Sequence, residues 1–455
     1  MKVMNELHSL NPLDGRYATV TSPLRDYFSE FAYIRGRVRV EIAYLIALSD
    51  LGIIRPLTSN ELDFLNDLSA NFSLDDAESV KDLEKVTRHD VKAIENFLRE
   101  RFARTSLQDT VSWLHFGLTS EDVNLTSQAV SLTEARDAVL LPALDEIIAA
   151  IAELVREHTA TPMLARTHGQ AAVPTTFGKE MAVFLARLKT QREIIAAHVF
   201  EAKFSGAIGN YNAMLSAFPD VDWQKFEEKF LTSLGVKANP VVTQLIPYDN
   251  WLRYFQALSL ANSILLDFAQ DMWRYISDDV LKLKVVKNEV GSSTMPQKVN
   301  PIDFENAEGN LGLANALFEQ YLRKLPVSRL QRDLSDSTVR RSFGTAFGHT
   351  LVAFNSILRG LGRIQVNETQ LKSTLEAHWE VVAEGAQTIL RAAQVASAYD
   401  DLKSLTRGKK LDAASYEAWV ARLSVEEAVK MKLRTLSPES YIGLAKEIAE
   451  KSLKD

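Results

Sequence analysis

From Tyr248 to Val290 the chain runs for 43 residues without a glycine or a proline. Apolar residues recur along this stretch at helical spacing, among them Trp251, Phe255, Leu258, Ile264, Phe268, Met272 and Tyr275. A single helix of that length would be about 65 Å long, well beyond the ordinary globular helix. Similar patterns cover Ser127 to Thr159, Lys179 to Phe204, Phe304 to Lys324 and Val339 to Leu361. Five long helices close together in sequence predict an all-α chain built on an elongated bundle.

Both ends read differently. Up to about residue 110, shorter helical patterns alternate with polar turns, and after about 365 the elements shorten again. The expected organisation is therefore a helical N-terminal domain (1–110), a central long-helix domain (111–365) and a helical C-terminal domain (366–455). No repeat, low-complexity tract or convincing pair of alternating strands interrupts this pattern.

The absence of cysteine excludes disulfides, iron–sulfur clusters, thiolate zinc sites and cysteine nucleophiles. The first residues lack the apolar core of a secretory signal. The most apolar stretch, Ala138 to Val155, is broken by Pro142, Asp145, Glu146 and Glu153. A soluble, cytoplasmic protein is expected, with no membrane segment. A net charge of −7 argues against nucleic acid as a partner. Against that background, Arg323 to Arg341 carries six basic and two acidic residues. Such an island suits an anionic small molecule, or it is a solvated loop beside two helices.

No zinc-protease, phosphate-loop, dinucleotide or nucleophile-elbow motif is present, and no two histidines stand four apart. Chemistry is therefore sought in four polar segments. In Thr87-Arg88-His89-Asp90, a histidine beside an acid can transfer protons, or Thr87 and Asp90 can cap a helix. In Thr119-Ser120-Glu121-Asp122, hydroxyls at a helix start can cradle a carboxylate, or simply cap. Arg166-Thr167-His168-Gly169-Gln170 places a histidine between apolar helices, where it can protonate a leaving nitrogen or sit solvated. Gly291 to Pro301 (GSSTMPQKVNP) combines hydroxyls, a lysine and an asparagine in a loop able to close over a ligand, and Pro301 can open the next helix.

The last segment, extended to GSSTMPQKVNPIDFEN, resembles the signature of the fumarase/aspartase superfamily of helical lyases. NPLDGRY, TRHDVKAIE, HFGLTSEDVN, ARTHGQ and QRDLSDSTVRR, in that order, are similar to the members of that superfamily acting on succinylated purine nucleotides. The likeness runs from Asn11 to the segment beginning at Ser437. It implies three helical domains and a homotetramer with a twenty-helix core, whose active sites each draw on three subunits. It also implies β-elimination of fumarate from adenylosuccinate, or from the related imidazole-carboxamide succinyl ribotide, without a cofactor or metal.

Carried over by position, the resemblance makes His168 the general acid, Ser292 the general base and Ser293 a substrate ligand. Residue chemistry alone would name His89 as base, because a serine hydroxyl is a poor one. Lys298 and Asn300 would stabilise the carbanion, and Glu305 would orient His168 from another subunit. Thr119 and Ser120 would hold a succinyl carboxylate with Gln244 nearby, while Arg16, Tyr17, Arg332, Ser337 and Arg341 would meet the phosphate. His89 and Asp90 would serve as phosphate or proton-relay residues. Arg88, Val299, Asn306, Thr338 and Arg340 complete the expected substrate contacts. Gln297 stands where relatives often carry histidine, and Arg88 where some carry asparagine. Rival expectations are another fumarate-releasing lyase and a catalytically inactive helical scaffold. An ammonia lyase with an Ala-Ser-Gly electrophile is excluded, because that tripeptide is absent.

Overall fold

A computed structural model of the chain describes residues 6–284, 295, 298–395 and 411–454. The apolar periods become the helices Ser120–Ala135, Leu141–Glu157, Phe177–Ala197, Asp249–Ser277, Ile302–Lys324 and Phe343–Arg363. Among the described residues, strands occur only as three two-stranded pairs, so the chain is all-α. None of these helices is long and apolar enough to cross a membrane.

The chain divides into two compact units. One comprises Met1–Ala143, Gln191–Ser263 and Asn310–Ala353; the other comprises Leu144–Thr190, Ile264–Gly309 and Phe354–Asp455. In the first, Tyr44 packs on Phe204 with ring centroids 4.9 Å apart, and Phe255 packs on Phe343 at 5.0 Å. The second is centred on Leu375, Val382, Leu390, Tyr416, Trp419, Val420 and Leu433. Each ring buried in this way removes a large apolar area from water, the dominant stabilising term in a fold of this size.

Three local features depart from the expectation. The stretch Ser127 to Thr159 is not one regular helix, because Arg136–Leu140 forms a π-turn immediately before Leu141–Glu157. Pro142 has no N–H for the preceding turn, and a wider turn accommodates that loss. The stretch from Tyr248 yields a helix of 29 residues, about 43 Å long. It does not reach Leu281–Leu283, which instead pairs antiparallel with Ile364–Val366. Asp279 supplies the break by adopting φ of 59°, a left-handed position that glycine usually takes.

The third departure matters most for function. Pro162–Thr167 and Gln170–Thr176 form an antiparallel hairpin where a loop between helices was expected. Its turn is His168-Gly169, with φ of 56° and 74°. Two left-handed residues in a two-residue connection match the twist of a hairpin, and Gly169 takes its place at no steric cost. At the hairpin base Gly178 donates its N–H to the His158 carbonyl at 2.9 Å. A Cβ there would come within 2.7 Å of His158 backbone carbon, so only glycine allows this approach.

Candidate active site

The hairpin carries His168 at its exposed tip, and Arg166 reaches across the turn to the Gly169 carbonyl at 3.4 Å. A ring held on a two-residue turn projects from the strands while its backbone stays fixed by the strand pairing. The same unit holds Glu305, in the first turn of Ile302–Lys324, with Pro301 immediately before that helix as the sequence predicts. The indole N–H of Trp273 donates to Glu305 Oε1 at 3.1 Å. Lys298 is exposed, its N–H bonded to the Met295 carbonyl, while Val299 is exposed and Asn300 half-buried. Asn306 accepts a hydrogen bond from Ser356 at 2.8 Å, which uses its oxygen between two helices. Ser292, Ser293 and Gln297 lie outside the described residues.

The other unit holds the remaining candidates. Arg16 is exposed, and Tyr17 closes a turn by donating its N–H to the Pro12 carbonyl at 2.9 Å. Arg88 ends the helix Leu74–Thr87 in a left-handed conformation at φ of 52°. The next helix is capped by His89 itself, whose Nδ1 accepts the Lys92 N–H at 3.1 Å, and not by the expected Thr87. An Nδ1 that accepts there is unprotonated, which leaves only Nε2 to face a ligand. Asp90 accepts from Arg37 at 2.8 Å, from the Val91 amide at 2.9 Å and from Arg341 at 3.5 Å. Burial alone would raise the Asp90 pKa, but these partners outweigh it and hold the carboxyl below its usual range.

Thr119 precedes the helix Ser120–Ala135, and its N–H donates to Asp122 at 2.7 Å. The capping geometry is therefore real, and both Thr119 and Ser120 remain half-buried at the helix start, where N–H groups favour an anion. Asp122 is anchored in turn by Lys203 at 2.6 Å and by the amides of Ser205 and Gly206. Just upstream, His115 Nδ1 lies 2.6 Å from buried Glu41. Burial pulls the His115 pKa down, yet the hydrogen bond and charge of Glu41 outweigh it, and the net shift is upward.

The basic island is less open than its sequence suggests. Arg340, named above among the expected substrate contacts, is fully buried and bonds Gln128, Glu121 and Asp336. Arg332 is held by Glu121 at 2.9 Å and Asp336 at 3.5 Å, and its third nitrogen donates to Gln244 at 3.3 Å. Arg341 remains half-exposed, with Glu30 at 3.2 Å. Ser337 and Thr338 lie on the short helix Ser335–Arg340, half-buried and exposed respectively. Two of the island's cations are thus matched by carboxylates inside the fold. Glu121 lies some two hundred residues away in sequence, so local composition carries no trace of the pairing. Among the described residues, no cluster of His, Cys, Asp and Glu could hold a metal ion.

Comparison with known proteins defines the class first. The family described as "Lyase" matches residues 15–315. Solved structures with the same fold include a fumarate lyase from a Mesorhizobium species (TM-score 0.75, 19% identity, 95% of this chain and 97% of that one). Another is the 3-carboxy-cis,cis-muconate lactonizing enzyme from Pseudomonas putida (TM-score 0.74, 18% identity, 95% and 96%). Among closer relatives, the adenylosuccinate lyase of Legionella pneumophila is 45% identical over 98% of this chain and 99% of its own length. That of Escherichia coli is 43% identical over 97% and 98%. The family described as "Adenylosuccinate lyase C-terminal" matches residues 328–442. The chain belongs to the adenylosuccinate lyase family.

Proposed function

We propose that this chain cleaves adenylosuccinate to AMP and fumarate, and the succinyl imidazole-carboxamide ribotide to AICAR and fumarate, in purine nucleotide biosynthesis. The observation that carries this reading is the 45% identity to an adenylosuccinate lyase over 98% of the chain. We assign the work in the cytoplasm to a homotetramer with shared sites, in which the domain limits near 110 and 365 apply. Its substrate is an anionic nucleotide.

In this reading Ser292 removes the proton beside a succinyl carboxylate. The charge spreads onto that carboxylate, where Lys298 and Asn300 stabilise it and Thr119 and Ser120 hold it. His168 then protonates the departing nitrogen, and Glu305 of another subunit orients the ring. Arg16, Tyr17, Arg332, Ser337 and Arg341 hold the phosphate, with His89 and Asp90 beside them. A positive, partly desolvated cradle grips a dianion strongly because the local dielectric is low.

Subunit exchange tests the shared site. His168→Asn and Ser292→Ala proteins, each inactive alone, are mixed and allowed to exchange. A site assembled from several chains restores part of the wild-type turnover of adenylosuccinate, since some sites then receive both intact residues. Verified mixed tetramers that stay inactive would rule out the division of labour between chains.

A further inference from the structure

The segment HFGLTSEDVN has so far supplied only Thr119 and Ser120 to the proposed site, yet it also buries two carboxylates, Glu121 at 1% exposure and Asp122 at 0%. One Glu121 oxygen lies 2.9 Å from Arg332 and the other accepts from Arg340 at 2.7 Å. Asn124 donates a third hydrogen bond at 2.7 Å. Asp336 supplies the second carboxylate, at 2.8 Å from Arg340 and 3.5 Å from Arg332, and it accepts from the Tyr248 hydroxyl at 3.2 Å. Two guanidinium and two carboxylate groups therefore balance in charge inside the fold, which a buried ionic cluster requires.

The two arginines are not equivalent. Both Nη groups of Arg340 are taken up inside the cluster, with Gln128 taking Nη1, while its buried Nε finds no hydrogen-bond partner among the described residues. Arg332 gives Nε and one Nη to the carboxylates, keeps side-chain exposure of 15%, and directs its last nitrogen toward Gln244. A guanidinium gripped along one edge cannot rotate among rotamers, so its remaining edge is aimed before any ligand arrives. The same Glu121 that seats Arg332 directly follows Ser120.

We propose that Glu121 is a positioning residue, which fixes Arg332 for the substrate's anionic end and ties that arginine to the carboxylate-holding start of the Ser120–Ala135 helix. It touches no substrate itself. The proposal rests on the reading of Arg332 as a nucleotide ligand given above.

A double-mutant cycle on the full-length enzyme separates the two. Arg332→Ala is expected to raise KM for adenylosuccinate by about tenfold or more, and Glu121→Gln to raise it by about tenfold with kcat changed less than about threefold. In the Arg332→Ala background, Glu121→Gln should add less than about twofold, because its effect runs through the arginine. If Arg332→Ala leaves KM unchanged, both the ligand reading and this proposal fail. If Arg332→Ala raises KM while Glu121→Gln does not, or if the two effects multiply independently, the positioning role alone is overturned. Should Glu121→Gln not fold, Glu121→Asp is read instead. It keeps the charge but is one methylene too short to bridge both arginines, and the same cycle applies.

Discussion

His168→Asn lowers kcat by about two to four orders of magnitude, with KM and the thermal midpoint nearly unchanged, if the hairpin tip delivers the proton. Asparagine is chosen because position 168 has φ of 56°, a conformation that asparagine tolerates well among non-glycine residues. The side chain is exposed at the turn, so its replacement removes little packing. The amide also keeps a polar group of similar reach while lacking a proton that can be transferred near neutral pH. Steady-state kinetics together with a thermal melt check the claim. A loss of kcat below about tenfold would remove His168 from the role of acid.

The second large effect is on stability. Lys203→Met is expected to destabilise the fold by about 3–5 kcal/mol. Both Lys203 and Asp122 have side chains with 0% exposure, and the replacement leaves Asp122 as a buried charge without its cation. Lys203 also donates to the Gly206 carbonyl at 2.7 Å, and that acceptor loses its partner too. Burial raises the Asp122 pKa, and Lys203 is the chief influence that lowers it. A carboxyl whose folded pKa lies above its unfolded value costs stability as pH rises through the folded value. Losing Lys203 raises that value further, so the variant's deficit should be smaller near about pH 5 than near about pH 8. Thermal melts at the two pH values provide the measurement. Equal midpoints for variant and wild type at both would contradict the buried pairing. Because Asp122 also holds the Thr119 amide, kcat/KM should fall with it.

Periodicity revealed the helices well, because a 3.6-residue repeat reflects a local geometry that does not depend on distant partners. It did not reveal where the longest one stops. Freedom from glycine and proline permits a helix without requiring one, and Leu281–Leu283 found a strand partner at Ile364–Val366 more than eighty residues on. The His168 hairpin leaves only a partial signal in the sequence. His-Gly flanked by Arg166, Thr167 and Gln170 is a two-residue turn of the primed type, yet the strand beside it (Gln-Ala-Ala-Val-Pro) lacks clean alternation. Motif order exposed the candidate residues, whereas their partners stayed hidden. Glu121, Asp122, Lys203 and Arg37 look like ordinary surface charges in a helical chain. Only folding brings Lys203 to Asp122 and Arg340 to Glu121, and no local pattern encodes those pairings. The basic island therefore overstated the open positive charge, since Arg340 is spent internally.

The central claim is the elimination itself, and the most direct measurement is turnover by the purified, folded protein with no metal added. With adenylosuccinate as substrate, the nucleotide's absorbance should change as AMP and fumarate appear in equal amounts. Folded protein that leaves adenylosuccinate intact while releasing fumarate from argininosuccinate would contradict it.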